Sequence, residues 1–236
     1  MKREDKSTVH EALQSRRRFV REAAFGTTFV ALGGLYYFAG AAEGGEGEKR
    51  ADGRPRVPPG QRVLQSLKPM GGEPGSPLRQ DFRLKVSGEV EQPLDLDFAA
   101  LSAVGITELA VDVHCVTGWS VLGARFKGVR LQDLAARAKP KASARHVIFE
   151  AAHGYTANVP IREALAPDVL VAFDLDGQAL KPAHGAPVRA VVPNLYFWKS
   201  PKWLTGIRFT TRDEPGYWEK RGYNNHGDPW LEERYA

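Results

Sequence analysis

The sequence has a single cysteine, Cys115, among its 236 residues. One thiol cannot form an internal disulfide, and the chain has no C-x-x-C-H motif to attach a haem. The histidines show no metal-ligand spacing, so a zinc site made of protein ligands alone is not indicated. No Cys–His–Asn arrangement accompanies the thiol, which argues against a thiolate nucleophile. Cys115 is therefore either an ordinary buried side chain or a group kept for other chemistry.

The body of the chain also lacks a strong excess of positive charge. The net charge is +5, but residues 1–41 hold seven of the 33 Lys and Arg residues and four of the 28 Asp and Glu residues. The rest of the chain therefore has a net charge of only +2. Proteins that bind nucleic acid concentrate positive charge on the folded domain. We therefore expect no nucleic-acid partner.

No apolar run reaches the ~18–20 residues that a comfortable transmembrane helix needs. The longest run, Phe25–Ala39, follows the basic segment Ser15–Arg21 and leads into Ala39-Gly40-Ala41. This order is typical of an export signal, and S-R-R-x-F from Ser15 resembles the twin-arginine type. We expect residues 1–41 to direct the folded protein to the periplasm, or another extracytoplasmic site, through the twin-arginine export machinery. The alternative is a basic amphipathic or juxtamembrane helix that holds an uncleaved membrane anchor.

The pattern of the chain changes at residue 81. Residues 42–80 are rich in Gly, Pro and charge, which is typical of a linker and an irregular arm. Residues 81–212 contain short runs with the alternation of strands. The predicted strands are Phe82–Val90, Ile106–Val116, His146–Ala152, Tyr155–Pro160, Leu170–Phe173, Val188–Val192 and Leu204–Thr211. We predict one mixed α+β, β-rich domain over 81–212, wrapped by an aromatic C-terminal tail, 213–236.

Two short helices complete the predicted domain. Asp97 caps the first, which runs through Ala103, and the second opens at Val129 and ends at Pro140. The predicted strand Ile106–Val116 places Cys115 at the end of its apolar face, with His114 on the opposite face.

Polar and aromatic residues are concentrated in the 21 residues that begin at His184. The segment reads H-G-A-P-V-R from His184, continues through Pro193, and reads S-P-K-W-L from Ser200. An arginine fork with a lysine and a hydroxyl suits a phosphate, and flat aromatic side chains suit a ring system. The alternative is a solvated loop with two surface lysines, Lys199 and Lys202.

Together these motifs resemble a known family. H-G-x-P-x-R from His184, Pro193, and S-x-K-W-L from Ser200 are similar to the pterin-binding stretch of the sulfite oxidase family of molybdenum enzymes. C-V-x-x-W-S from Cys115 is similar to the metal-ligating segment of exported, twin-arginine members, such as the methionine sulfoxide reductase catalytic subunits. The resemblance covers about residues 82–212.

The resemblance implies a single molybdopterin-binding domain of the sulfite oxidase type, which carries molybdenum–molybdopterin (Mo-MPT). It makes Cys115 the metal ligand and the catalytic residue, and it assigns His184, Arg189, Ser200 and Lys202 to the pterin and its phosphate. These roles suit the side chains, because a soft thiolate matches a soft metal and a guanidinium or ammonium matches a phosphate.

The sequence indicates the substrate less closely than it indicates the cofactor. Sulfite oxidases place arginines soon after the cysteine, but residues 116–120 contain none, which argues against sulfite. The asparagine-containing motif of the methionine sulfoxide reductases is absent between Gln61 and Gln80. We expect two-electron oxygen-atom transfer on a small substrate, with an S-oxide as one choice. The alternative is an exported binding domain that keeps the fold without metal or catalysis, and the presence of Cys115, Arg189 and Lys202 favours the enzyme.

A second protein must deliver or accept the electrons. Because the chain has no haem motif, we expect a separate electron-transfer partner, either a membrane haem protein or a soluble cytochrome.

The export signal makes the first testable prediction. Replacing Arg16 and Arg17 with Lys keeps the charge but removes the forked guanidinium, so folded protein should remain in the cytoplasm. Cell fractionation with blotting measures the effect, and a triple variant that includes Arg18 excludes use of a shifted pair. Normal extracytoplasmic amounts of the triple variant would show that the signal is not of the twin-arginine type.

Overall fold

The structure is a computed structural model that describes residues 48–76 and 78–236. The predicted export signal and the first residues of the predicted linker lie outside the described residues. Within the described part of the chain, no helix is long and apolar enough to cross a membrane.

Short strands dominate the described residues, as the alternation predicts. The strands are β1 (Arg62–Leu64), β2 (Leu84–Gly88), β3 (Leu94–Leu96), β4 (Thr107–Cys115), β5 (Trp119–Arg130), β6 (His146–Ala151), β7 (Thr156–Pro160), β8 (Leu170–Leu175), β9 (Gln178–Ala179), β10 (Arg189–Val191) and β11 (Leu204–Thr210). The α-helices are α1 (Phe98–Ser102), α2 (Leu131–Ala138) and α3 (Ile161–Ala164). The β-rich α+β class is confirmed.

The described strands form two sheets. β5 is central to the six-stranded sheet, since it pairs with β4 along one edge and with β1 and β8 along the other. β8 also pairs with β9 and β10. The five-stranded sheet has the order β3-β2-β11-β6-β7. A large hydrophobic core contains buried residues of both sheets and of α1 and α2. A smaller core on the other face of the six-stranded sheet includes Cys115, Trp119 and Phe126.

Local signals explain the helix ends. Asp97 accepts a hydrogen bond from the Ala100 amide at 2.7 Å, which confirms the predicted cap of α1. The second helix begins at Leu131, two residues later than predicted, because β5 continues through Arg130. It ends at Ala138, and the next residue, Lys139, adopts a left-handed conformation with φ 53° directly before Pro140.

Besides the short unpredicted strands β3 and β9, two larger features differ from the sequence-based expectation. β5, the longest described strand, was not predicted, because it is buried on both faces for much of its length and so lacks simple alternation. The arm is also less irregular than expected, since β1 pairs in parallel with residues 119–121 of β5.

The tail is attached to the domain by a buried ion pair. The Lys199 ammonium is 2.6 Å from the Glu219 carboxylate, and Glu219 also accepts a hydrogen bond from the Trp198 indole at 2.8 Å. Lys199 further donates to the carbonyl of Asn225 at 2.8 Å. Lys199 is therefore a fully buried structural residue and not a surface lysine.

This ion pair makes a stability prediction. Glu219→Gln keeps an oxygen for Trp198 but leaves the Lys199 charge buried without its carboxylate, which should lower the free energy of unfolding by about 3 kcal/mol. Chemical denaturation measures the loss. The exposed Glu108→Gln should change stability by less than about 0.5 kcal/mol. Equal stability of the two variants would contradict a stabilising role for the pair.

Candidate active site

Cys115 lies at the end of β4, where the chain turns into β5. Its side chain is 6% exposed, and its Sγ is 3.2 Å from the Thr117 hydroxyl. The surrounding core contains Ala186 and, at its margin, Phe197. Both belong to residues 184–204, here called the downstream motif. The structure therefore brings the cysteine and that motif together, although about 70 residues separate them in sequence.

Arg189 organises the downstream motif from within. Its guanidinium donates to the carbonyls of His184 at 3.0 Å, Ala190 at 3.2 Å and Ser200 at 2.8 Å. It also lies 4.2 Å from the centre of the Phe197 ring. Arg189 thereby joins the beginning of the motif to its end.

The four predicted contact residues of this motif are neighbours in the structure. Gly185 fits between Arg189 and Lys202, since a Cβ on Gly185 would lie 3.0 Å from the Cβ atom of each. Gly185 has φ 106°, a conformation that favours glycine. The Ser200 hydroxyl accepts from the Val192 amide at 2.8 Å, so it holds the intervening loop.

Lys202 connects the motif to the arm. Its ammonium donates to the carbonyls of Met70, Gly71 at 2.8 Å and Ala183 at 3.2 Å. It also lies 4.3 Å from the centre of the Trp203 ring. Carbonyl oxygens satisfy these donors but do not neutralise the positive charge.

The electrostatics of the motif favour an anion. Among the described residues, neither Arg189 nor Lys202 forms an ion pair with a carboxylate. Burial lowers the pKa of Arg189 to about 9, and burial together with the charge of Arg189 lowers the pKa of Lys202 to about 8. Burial and the charges of Arg189, Lys202 and Lys181 also lower the pKa of His184. A phosphate would relieve this repulsion between cations.

Comparison with known proteins shows the family. Residues 72–218 match the family described as oxidoreductase molybdopterin binding domain. An uncharacterized oxidoreductase of Bacillus subtilis (strain 168), YuiH, is 42% identical over 191 residues, which cover 80% of this chain and 96% of that protein. The chain belongs to the sulfite oxidase family of molybdopterin-dependent oxidoreductases. This molybdopterin oxidoreductase is an enzyme, and its cofactor is molybdenum–molybdopterin.

A solved structure shares the fold of this molybdopterin oxidoreductase. The sulfane dehydrogenase SoxCD from Paracoccus pantotrophus superposes with a TM-score of 0.55 and 24% sequence identity. The match covers 61% of this chain but 41% of that chain. The prediction of a single domain of the sulfite oxidase type is confirmed.

The residues present fit the cofactor at both ends. The buried thiol of Cys115 is a soft donor suited to molybdenum, and Arg189 and Lys202 provide cations without carboxylate partners for a phosphate. Within the described residues no cluster of three or more His, Cys, Asp or Glu side chains offers a competing metal site. The individual contacts of His184, Arg189, Ser200 and Lys202 with the cofactor stay predictions.

Other residues at the cysteine escaped the sequence analysis. Gln61 donates from its side chain to the Cys115 carbonyl at 3.1 Å, and Arg234 donates to the Val116 carbonyl. A glutamine in a Gly- and Pro-rich arm and an arginine near the end of a tail carry no motif. Only the folding of the arm and the tail onto the domain brings them to this turn.

Lys202 makes a prediction about cofactor retention. Lys202→Met removes a cation that the phosphate would contact, so cofactor affinity should fall by about one to two orders of magnitude, as expected for loss of ~1.5–3 kcal/mol. Fluorescence of the released pterin after dialysis measures retention, and Lys85→Met on β2 is the matched control. Arg189→Met is a poorer probe, because it also removes the donors from three carbonyls. Wild-type retention by Lys202→Met would exclude Lys202 from the phosphate site.

Proposed function

We propose that this chain is an exported oxidoreductase that carries out two-electron oxygen-atom transfer on a small substrate such as an S-oxide. The observation that carries the proposal is the placement of the chain's only thiol, Cys115, in the core that also contains Ala186 of the His184–Arg189 segment. When bound, molybdenum–molybdopterin supplies the two-electron redox chemistry. The protein supplies the ligand, the charge environment and control of access.

Cys115 has the surroundings of a ligand. Its burial limits contact with water and thus with competing ligands. The Thr117 hydroxyl, 3.2 Å from Sγ, can donate a hydrogen bond to the thiolate form and stabilise its negative charge. His114 is the adjacent residue but is hydrogen-bonded to Ser120 at 2.8 Å on the other side of the strand. This arrangement supports metal ligation rather than activation of a nucleophile by a base.

The turn beside Cys115 favours a substrate without a full negative charge. Residues 116–120 contain no cationic side chain. Arg234 reaches the turn from the tail, but its guanidinium donates to the Val116 carbonyl and lies 3.7 Å from the Glu232 carboxylate. A polar, uncharged S–O group therefore suits this turn better than a sulfite anion does.

Electron supply and location complete the proposal. With no C-x-x-C-H motif in the chain, a membrane haem protein or a soluble cytochrome would exchange electrons with the cofactor. The Ser-Arg-Arg-x-Phe pattern supports export of the folded, loaded enzyme to the periplasm or another extracytoplasmic site.

Cys115→Ser tests the proposal. A hydroxyl is a much poorer ligand for this metal but has nearly the same volume, so turnover should be abolished while the fold is largely retained. Molybdenum analysis measures metal binding, and circular dichroism measures retention of the fold. Turnover is measured with S-oxides, N-oxides and sulfite, together with an artificial electron donor or acceptor. Wild-type chain from a host that cannot make the cofactor is the control for metal loss.

Two results would contradict the proposal in different ways. Full turnover by a Cys115→Ser variant that still binds metal would exclude Cys115 as the ligand. Preference for sulfite over every S-oxide in the wild-type enzyme would exclude the proposed substrate class.

A further inference from the structure

The four residues Cys115–Gly118 form a tight turn between β4 and β5. The Gly118 amide donates to the Cys115 carbonyl at 3.0 Å, and Gly118 has φ 83°. A Cβ at Gly118 would lie 3.4 Å from the Gly60 carbonyl, so the arm passes directly over the turn. The direction of the Cys115 side chain depends on the backbone of this turn.

The arm holds both ends of the turn. The Gln61 side chain donates to the Cys115 carbonyl at 3.1 Å, and the Arg62 amide donates to the Gly118 carbonyl at 3.0 Å. Gln61 is itself fixed, because its side-chain oxygen accepts from the Ser120 hydroxyl at 3.3 Å. A glutamine held at both ends of its amide has little freedom to rotate.

The tail holds the middle of the turn. Arg234 donates to the carbonyl of Val116, and its guanidinium lies 5.3 Å from the centre of the Tyr196 ring. The arm and the tail meet here, since a Cβ at Gly60 would lie 3.2 Å from the Glu232 carboxylate and 3.4 Å from the Arg234 guanidinium. Segments before and after the domain thus converge on one turn.

We propose that Gln61 and Arg234 are positioning residues for the Cys115 thiolate. Both lie outside residues 72–218, the part of the chain that matches the family. Their hydrogen bonds hold the carbonyls of Cys115 and Val116 and thereby set the direction from Cα to Sγ. Groups that orient a ligand in this way tune the electronic properties of the metal. The proposal rests on the proposed function, in which Cys115 binds molybdenum.

Two variants with two matched controls test the proposal. Gln61→Met and Arg234→Met keep the length of each side chain but remove its donors. Gln80→Met, at an exposed glutamine near the domain's start, is the first control. Arg221→Met is the second, because Arg221 also belongs to the tail and also donates to a backbone carbonyl, that of Tyr217 at 2.8 Å.

The first measurement is spectroscopic. In the loaded enzyme, Gln61→Met and Arg234→Met should shift or broaden the electron paramagnetic resonance of the half-reduced metal, which senses the orientation of the thiolate sulfur. Molybdenum content and melting temperature should stay close to those of the wild type, and both controls should give the wild-type spectrum. Unchanged spectra in both variants would overturn the proposal, and a change in only one would remove the other residue from it.

The second measurement needs no cofactor. Because Cys115 is the only thiol, iodoacetamide labelling of the full chain from a cofactor-deficient host reports on this residue alone. Loss of one hydrogen bond from the turn should raise the labelling rate by up to about tenfold, which corresponds to ~1.4 kcal/mol of local opening. Labelling at the wild-type rate in both variants, or an equal rise in the controls, would overturn the proposal.

The same experiments separate this inference from the proposed function. If Cys115→Ser leaves the resonance of the loaded enzyme unchanged, Cys115 is not the ligand and the proposed function fails. If Cys115→Ser changes the resonance but Gln61→Met and Arg234→Met do not, the ligand stands and only the positioning role fails.

Discussion

The active site depends on one buried guanidinium. Arg189 is 2% exposed and directs its donors to the carbonyls of His184, Ala190 and Ser200. A buried guanidinium without a carboxylate is costly, and the three carbonyls recover only part of that cost. The remaining charge favours an anion nearby. The same side chain therefore shapes the loop and, in the proposed site, would attract the phosphate, so replacing Arg189 would affect both roles at once.

The arm and the tail contact each other and pack against the strand that ends at Cys115. Trp230 of the tail contacts the guanidinium groups of Arg50 and Arg54, which lie 4.3 and 4.1 Å from its ring centre, and its indole donates to the Pro55 carbonyl at 2.7 Å. The same ring packs on His114 in a T-shaped arrangement, with 5.0 Å between ring centres. Burial lowers the pKa of His114 to about 4, so this side chain is neutral where it packs against Trp230.

In the proposed site, the positions of Cys115 and Lys202 reflect different physical constraints. A thiolate must be kept from water and pointed in one direction, so Cys115 lies in a core and on a tight turn. A phosphate needs positive charge near solvent, so Lys202 is half-buried and contacts the arm.

Much of this protein follows from the sequence alone. The alternation in residues 81–212 indicated a β-rich domain because side chains of a strand alternate between two faces. The motifs that begin at Cys115, His184 and Ser200 indicated the family and the cofactor through their resemblance to segments of the sulfite oxidase family, and their side chains suit a soft metal and a phosphate. Those signals are local in the chain, and local spacing can be recognised without knowledge of the fold.

The tertiary structure decided the rest. β5 lacks alternation because both of its faces are buried, which only the assembly of the two cores reveals. Lys199 looks like a surface lysine until Glu219, twenty residues later, meets it in the interior. Gln61 and Arg234 are more than 50 and 110 residues from Cys115, and no pattern links them to it. Contacts between distant segments depend on how the chain packs, and packing is a property of the whole sequence rather than of any motif.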